Sequence, residues 1–174
     1  MLTKTAIEQY FLSEKNAGLI LMIAGAVAIL TAIAFLIFIK TNMYKGMAIP
    51  LIVLGIAQLA MGYSPYSKSD KQRIDNVYAF DMNPDKLKTT ELPRMQKMTN
   101  SVKLFLGIEL AVLVAGVILI VVNKQNADSL PSKALWQGVG IALAIQALIF
   151  FSVDLFVFKG AKKYTAGLEQ FAKG

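Results

Sequence analysis

GLILMIAGAVAILTAIAFLIFI, residues 18–39, decides the fold of this chain. Its 22 residues carry no charge. As a helix they reach about 33 Å at about 1.5 Å per residue, enough to cross a hydrocarbon core of about 30 Å. Three more apolar blocks follow. Met47 to Tyr63 is the shorter one, with Pro50 placed in its first turn, where a missing N–H costs least. Leu104 to Val122 is the third, and Leu135 to Phe158, stopped by Lys159, is the fourth. Backbone polar groups find no water in hydrocarbon, so open sheets are excluded. A barrel would alternate apolar and polar residues rather than run continuously apolar. The sequence predicts an all-α integral membrane protein with four transmembrane helices in an antiparallel bundle.

Composition agrees. Of 174 residues, 56% are hydrophobic and 17% charged, against about 45–50% and about 25% in soluble domains. Most of the charges fall between the blocks. Four spans put the N-terminus, the middle loop and the C-terminal tail on one side, which carries 14 Lys and Arg, against 4 in the two outer turns. That bias places the N- and C-termini in the cytoplasm, with a bacterial inner membrane the expected location. The net charge of +7 is then a topology signal, helped by anionic lipid, and calls for no nucleic acid. Aromatic belts are expected from Tyr10, Tyr63, Tyr66 and Tyr164 at the inner boundary and from Tyr44 and Trp136 at the outer one.

The chain has no cysteine and no histidine. This excludes disulfides, thiol nucleophiles, imidazole bases and His or Cys metal ligands. No Gly-rich phosphate loop and no nucleophile–base pair stands out. No enzyme activity and no cofactor is expected.

Outside the spans, residues 1–17 show apolar residues at helical spacing (Leu2, Ala6, Ile7, Tyr10, Phe11), read as an interfacial helix or as an extension of the first span. Residues 18–63 form the first hairpin, turning through Lys40 to Gly46. Residues 104–158 form the second, with a polar loop at 123–134, and residues 159–174 are a basic tail. The middle segment, 64–103, is read as a helical cytoplasmic cap. Ser69 or Asp70 are possible caps there, Asn83-Pro84 reads as a cap followed by Pro at a helix start, and Thr90 as a cap with Pro93 in the first turn. Ile74, Val77, Tyr78, Leu92 and Met95 form its apolar stripes and a possible partner-binding surface.

Two acids lie inside spans. Glu109 and Asp154 sit at similar depth, about 7–9 Å from the cytoplasmic boundary by helix rise, and Gln58 is assigned to the same layer. The three form an expected intramembrane polar belt. Asp154 shares a face with Ala147 and Gly140, Glu109 with Gly116, and Gln58 lies between Gly55 and Gly62, so each faces protein, where small residues let helices approach. Two neighbouring carboxylates disfavour double ionisation, which suits proton coupling; a structural belt is the plainer use. The rows Ala24–Ala28–Ala32 and Gly107–Ala111–Ala115 suit bundle packing or self-association. Gly55-Ile-Ala-Gln58 faintly echoes Ala144-Ile-Gln146. The expected role is binding to another protein, as an immunity-type, accessory or regulatory subunit. The alternative is a small oligomeric channel or proton-coupled carrier.

Overall fold

The computed structural model describes residues 2–124 and 130–173. Of these, only Leu2, Thr3, Lys40, Thr41, Asn83 and Leu130 lie outside helices. Helix α1 (Lys4–Ala34) begins at Thr3, whose hydroxyl accepts the Ala6 N–H at 3.1 Å, and runs into a π-turn, Phe35–Ile39. Lys40, in the left-handed region at φ 54°, reverses the chain. Then come α2 (Asn42–Met82), the single turn α3 (Pro84–Lys86), a π-turn (Leu87–Glu91), α4 (Leu92–Lys124) and α5 (Pro131–Lys173). Among the described residues, four helices are long and apolar enough to cross a membrane.

Several boundaries differ from the sequence reading because helices run on where loops were expected. Pro50 is the ninth residue of α2, not part of its first turn, and Pro65 lies deeper still. Each leaves a carbonyl four residues back without its usual donor, yet packing holds the helix together: Pro50 is buried and Pro65 stands against Gly18. Ser69 and Asp70 cap nothing. Ser69 donates its hydroxyl to the Pro65 carbonyl at 2.6 Å, and Asp70 accepts from Lys15. Thr90 lies inside the second π-turn. Asn83 does cap, its side chain accepting the Lys86 N–H at 3.4 Å, with Pro84 following. Residues 160–173 continue α5, and of the loop read at 123–134, residues 125–129 lie outside the described residues.

With 41 and 43 residues, α2 and α5 reach about 62 and about 65 Å, twice the thickness of a hydrocarbon core. The molecule therefore has two decks. The apolar deck comprises residues 18–39, 47–63, 104–122 and 135–158. The polar deck comprises 2–17, 64–103 and 159–173. The apolar deck shows Leu30, Phe38, Val53, Leu104 and Val121 outward at 61–80% exposure, a surface suited to lipid and not to water.

Helix α1 packs along α2 and α4 along α5. The two hairpins join through α2 and α5, and α1 also reaches α5. Among the described residues the α4 backbone approaches neither α1 nor α2. Every seam repeats at seven residues, the spacing that keeps one face toward a partner helix. Phe11, Gly18, Gly25 and Ala32 are buried on α1, and Ala48, Gly55, Gly62, Ser69 and Asn76 on α2. Gly140, Ala147, Asp154, Ala161 and Leu168 are buried on α5, and Met95, Val102 and Gly116 on α4. In the apolar deck the backbones nearly touch. A Cβ on Gly25 would stand 2.6 Å from the Gly55 carbonyl, and one on Gly116 2.9 Å from that of Gly140. At the far end, Gly138 meets the Met43 carbonyl.

The polar deck holds the main side-chain core: Leu2, Ile7, Tyr10, Phe11, Ala79, Leu87, Met95, Ala161, Tyr164 and Leu168. Residues 2–11 thus bury their apolar face against protein. Tyr10 and Tyr164, expected at a lipid boundary, instead stack on each other with centroids 4.4 Å apart.

Candidate functional site

The seven-residue seams bring acids together. Glu109 follows Met95 and Val102 on the α4 stripe, and Asp154 follows Gly140 and Ala147 on that of α5. The two carboxyls are neighbours. Asp154 is 9% exposed, and Glu109 Oε2 is buried without a donor. Among the described residues no Lys or Arg pairs with either acid, nor with Glu14.

Gln58 is not part of this pair. It is fully buried and donates from Nε2 to Gln146 Oε1 at 2.7 Å. Gln146 lies eight residues from Asp154, about 12 Å along α5. The belt read as one layer is therefore two: Gln58–Gln146 at the crossing of α2 and α5, and Glu109–Asp154 nearer the polar deck. Counting from Tyr63 misplaced Gln58, because α2 continues past Tyr63 without a boundary. Sequence reasoning left Gln146 out of the belt. The signal was present in the echo between residues 55–58 and 144–146, whose glutamines bond each other.

The two hairpins also face each other where the decks meet. Between them lies a cleft of about 350 Å³ lined from all four long helices, including Glu14, Leu21, Met61, Lys68, Arg94, Phe105 and Asp154. Its walls are largely apolar, and Ser64, Lys68 and Gln72 add polar groups.

On the cleft wall, Arg94 grips Glu91 from Nε and Nη2, both at 2.8 Å, and lies over the Phe11 ring. Glu91 is 5% exposed, so this bidentate pair anchors the second π-turn to α4. Its charge is spent locally. Glu14, across on α1, is left without a donor at Oε2. Burial raises the Glu14 carboxyl above its usual range, with Arg94 and the Tyr10 hydroxyl opposing and Glu91 adding to the rise. Burial likewise pushes the Tyr10 and Tyr164 hydroxyls up, keeping both neutral. Tyr10 donates its hydroxyl to Met98 Sδ at 3.1 Å. On the rim, Lys15 donates to Asp70, and this bond above all holds the Asp70 carboxyl below its usual range.

The five cap residues separate. Met95 is fully buried in the polar-deck core, and Val77 and Leu92 pack against it half-buried, so none of these is free for a partner. Ile74 and Tyr78 stand outward at 62% and 65% exposure. One turn further, Met82 extends their row at 70%; the sequence reading omitted it. Of the small-residue rows, Ala28 and Ala32 are buried, while Gly107, Ala111 and Ala115 face outward.

No family model, no curated protein and no solved structure matches this chain.

Proposed function

We propose that this chain is a four-span membrane protein, its hairpins antiparallel and its polar deck in the cytoplasm, that acts by binding another protein through that deck. The observation carrying this reading is the row Ile74–Tyr78–Met82. Three large apolar side chains are exposed at successive four-residue steps of α2, 11 to 19 residues beyond Tyr63, about 16–28 Å past the apolar deck. Lipid cannot reach them, and water penalises them. A helix or loop laid along the row would cover all three, the usual geometry of helix-in-groove recognition. The self-packed core beneath supplies rigidity. The Lys bias supports the cytoplasmic assignment and, with it, a bacterial inner membrane. An immunity-type, accessory or regulatory subunit is the class of protein this describes.

The acid pair favours the channel or carrier as a second reading. Against it, beyond Gln58–Gln146 the spans offer no further charged side chain along the helices, so a path across would have to form between copies.

A photo-crosslinking residue at Tyr78, installed in native membranes, tests the first reading. It predicts one specific adduct, lost in Ile74→Glu with Met82→Glu and unaffected by Leu30→Ala. Absence of any adduct, with proton leak that vanishes in Glu109→Gln with Asp154→Asn, would favour the second.

A further inference from the structure

The cleft between the hairpins is independent of the Tyr78 row, and it has the makings of a ligand site. Its volume, about 350 Å³, lies within the range of pockets that hold small molecules. Leu21, Met61, Val102, Phe105 and Val157 give it apolar walls. Its charges do not balance. Asp154 is nine-tenths buried and, among the described residues, forms no salt bridge, and its neighbour Glu109 is another acid. Glu14 also lines the cleft, and its Oε2 finds no donor. The nearby guanidinium of Arg94 is consumed by Glu91. Lys68 is exposed, too well solvated to neutralise the interior.

Buried carboxylates without a counter-charge are costly, and a cation brought between them relieves that cost. A bare metal ion would bring no apolar part for the walls. A lone apolar molecule would leave the carboxylates unmatched. We propose that the cleft binds an amphiphile with a primary ammonium head, the ammonium between Glu14 and Asp154 and the apolar part along Met61, Phe105 and Val157. The cleft stands where the two decks meet, at the depth of lipid headgroups. Two sources share this chemistry. One is an aminophospholipid of the surrounding leaflet, whose phosphate would meet Lys68. The other is a free amphiphilic amine, which needs no partner at Lys68.

Native mass spectrometry of the full chain tests this, using nanodiscs of mixed phosphatidylethanolamine and phosphatidylglycerol, alongside dodecylammonium titration in detergent. The lipid source predicts at least tenfold enrichment of bound phosphatidylethanolamine over phosphatidylglycerol, lost in Asp154→Asn and in Glu14→Gln and weakened in Lys68→Gln. The free-amine source predicts saturable dodecylammonium binding without lipid enrichment, lost in the same two acid variants and indifferent to Lys68→Gln. Each single variant is read beside its own melting curve, and Glu14→Gln, which removes an unmatched buried charge, is expected to keep the fold. Overturning the proposal takes either of two results: no enrichment and no saturable binding, or binding unchanged in both folded acid variants.

Discussion

Follow one seam of α5 from end to end. In the apolar deck its buried residues are Gly140, Ala147 and Asp154; in the polar deck it passes Ala161 and ends in Leu168. On α1 the seam passes from Phe11 to Gly18, Gly25 and Ala32, and on α4 from Met95 and Val102 to Gly116. The seven-residue geometry is shared, but the size of the side chains changes with the deck. In water, burying a large apolar group stabilises by about 1.5–3 kcal/mol, so the polar deck fills its seams with Phe, Met, Leu and stacked Tyr. In lipid that gain vanishes, because the surroundings are as apolar as the side chain, and helices associate by close backbone approach instead. The apolar deck therefore buries mainly glycine and alanine along its seams and turns most of its large residues outward, with Leu21, Leu51 and Phe150 the buried exceptions. The same helices obey two packing rules on either side of one boundary.

Equal residues placed in the two decks give the largest contrast. Phe11→Ala, in the fully buried core, is expected to cost about 3–5 kcal/mol. Phe38→Ala, 80% exposed on the apolar deck, is expected to cost less than about 0.5 kcal/mol, as surface changes do. Reversible unfolding in mixed micelles measures both; equal losses would break the comparison. Next comes Glu91→Gln, which strands Arg94 within the polar deck. A fully buried pair loses about 3–5 kcal/mol when one partner goes. With the Arg94 side chain 32% open to solvent, about 2 kcal/mol is expected in the same assay.

Glu14 sharpens the boundary itself. Its carboxyl is raised by burial, so the folded state binds a proton more readily than the unfolded chain. The stability it supports is full below its ordinary range near 4.5 and declines as pH rises through the raised value. Glu14→Gln should match wild type in acid and melt higher at neutral pH. A gap that opens in acid instead would show that Glu14 is matched after all. The smallest effect belongs to the apolar deck: a double-mutant cycle on Gln58→Leu and Gln146→Leu should give a coupling of about 0.6 kcal/mol, the average for interhelical bonds in membranes. A coupling several times larger would mean that polar contacts, not backbone approach, hold the hairpins together.

Much of this was legible in the sequence. Continuous apolar runs show helices directly, and steps of seven placed Asp154, Ala147 and Gly140 on one buried face. Helix ends were harder. Pro50, Ser69, Asp70 and Thr90 carry local signals for starts and caps, which tertiary packing overrode along α2 and α4. The candidate site was half legible. Glu109 and Asp154 are neighbours because each lies on the seven-residue stripe where α4 packs along α5. Gln58 does not join them, since depth counted from a tyrosine assumes a boundary that α2 ignores. The cleft could not be read at all. It lies where the α4 backbone stays apart from those of α1 and α2, an arrangement that no linear pattern records. Ile74 and Met95 looked alike as members of apolar stripes, and only the fold sends one outward and the other into the core.

The two-deck account is tested most directly by single cysteines in this cysteine-free chain, labelled with a membrane-impermeant maleimide in inverted vesicles and in intact cells. Leu30→Cys, Val53→Cys and Leu148→Cys, exposed on the protein, should stay unlabelled in both preparations until the membrane is dissolved. Tyr78→Cys and Met82→Cys should label rapidly in inverted vesicles only, and Met95→Cys only after unfolding. Rapid labelling at Leu30 or Val53 in sealed vesicles, or at Tyr78 in intact cells, would contradict the account.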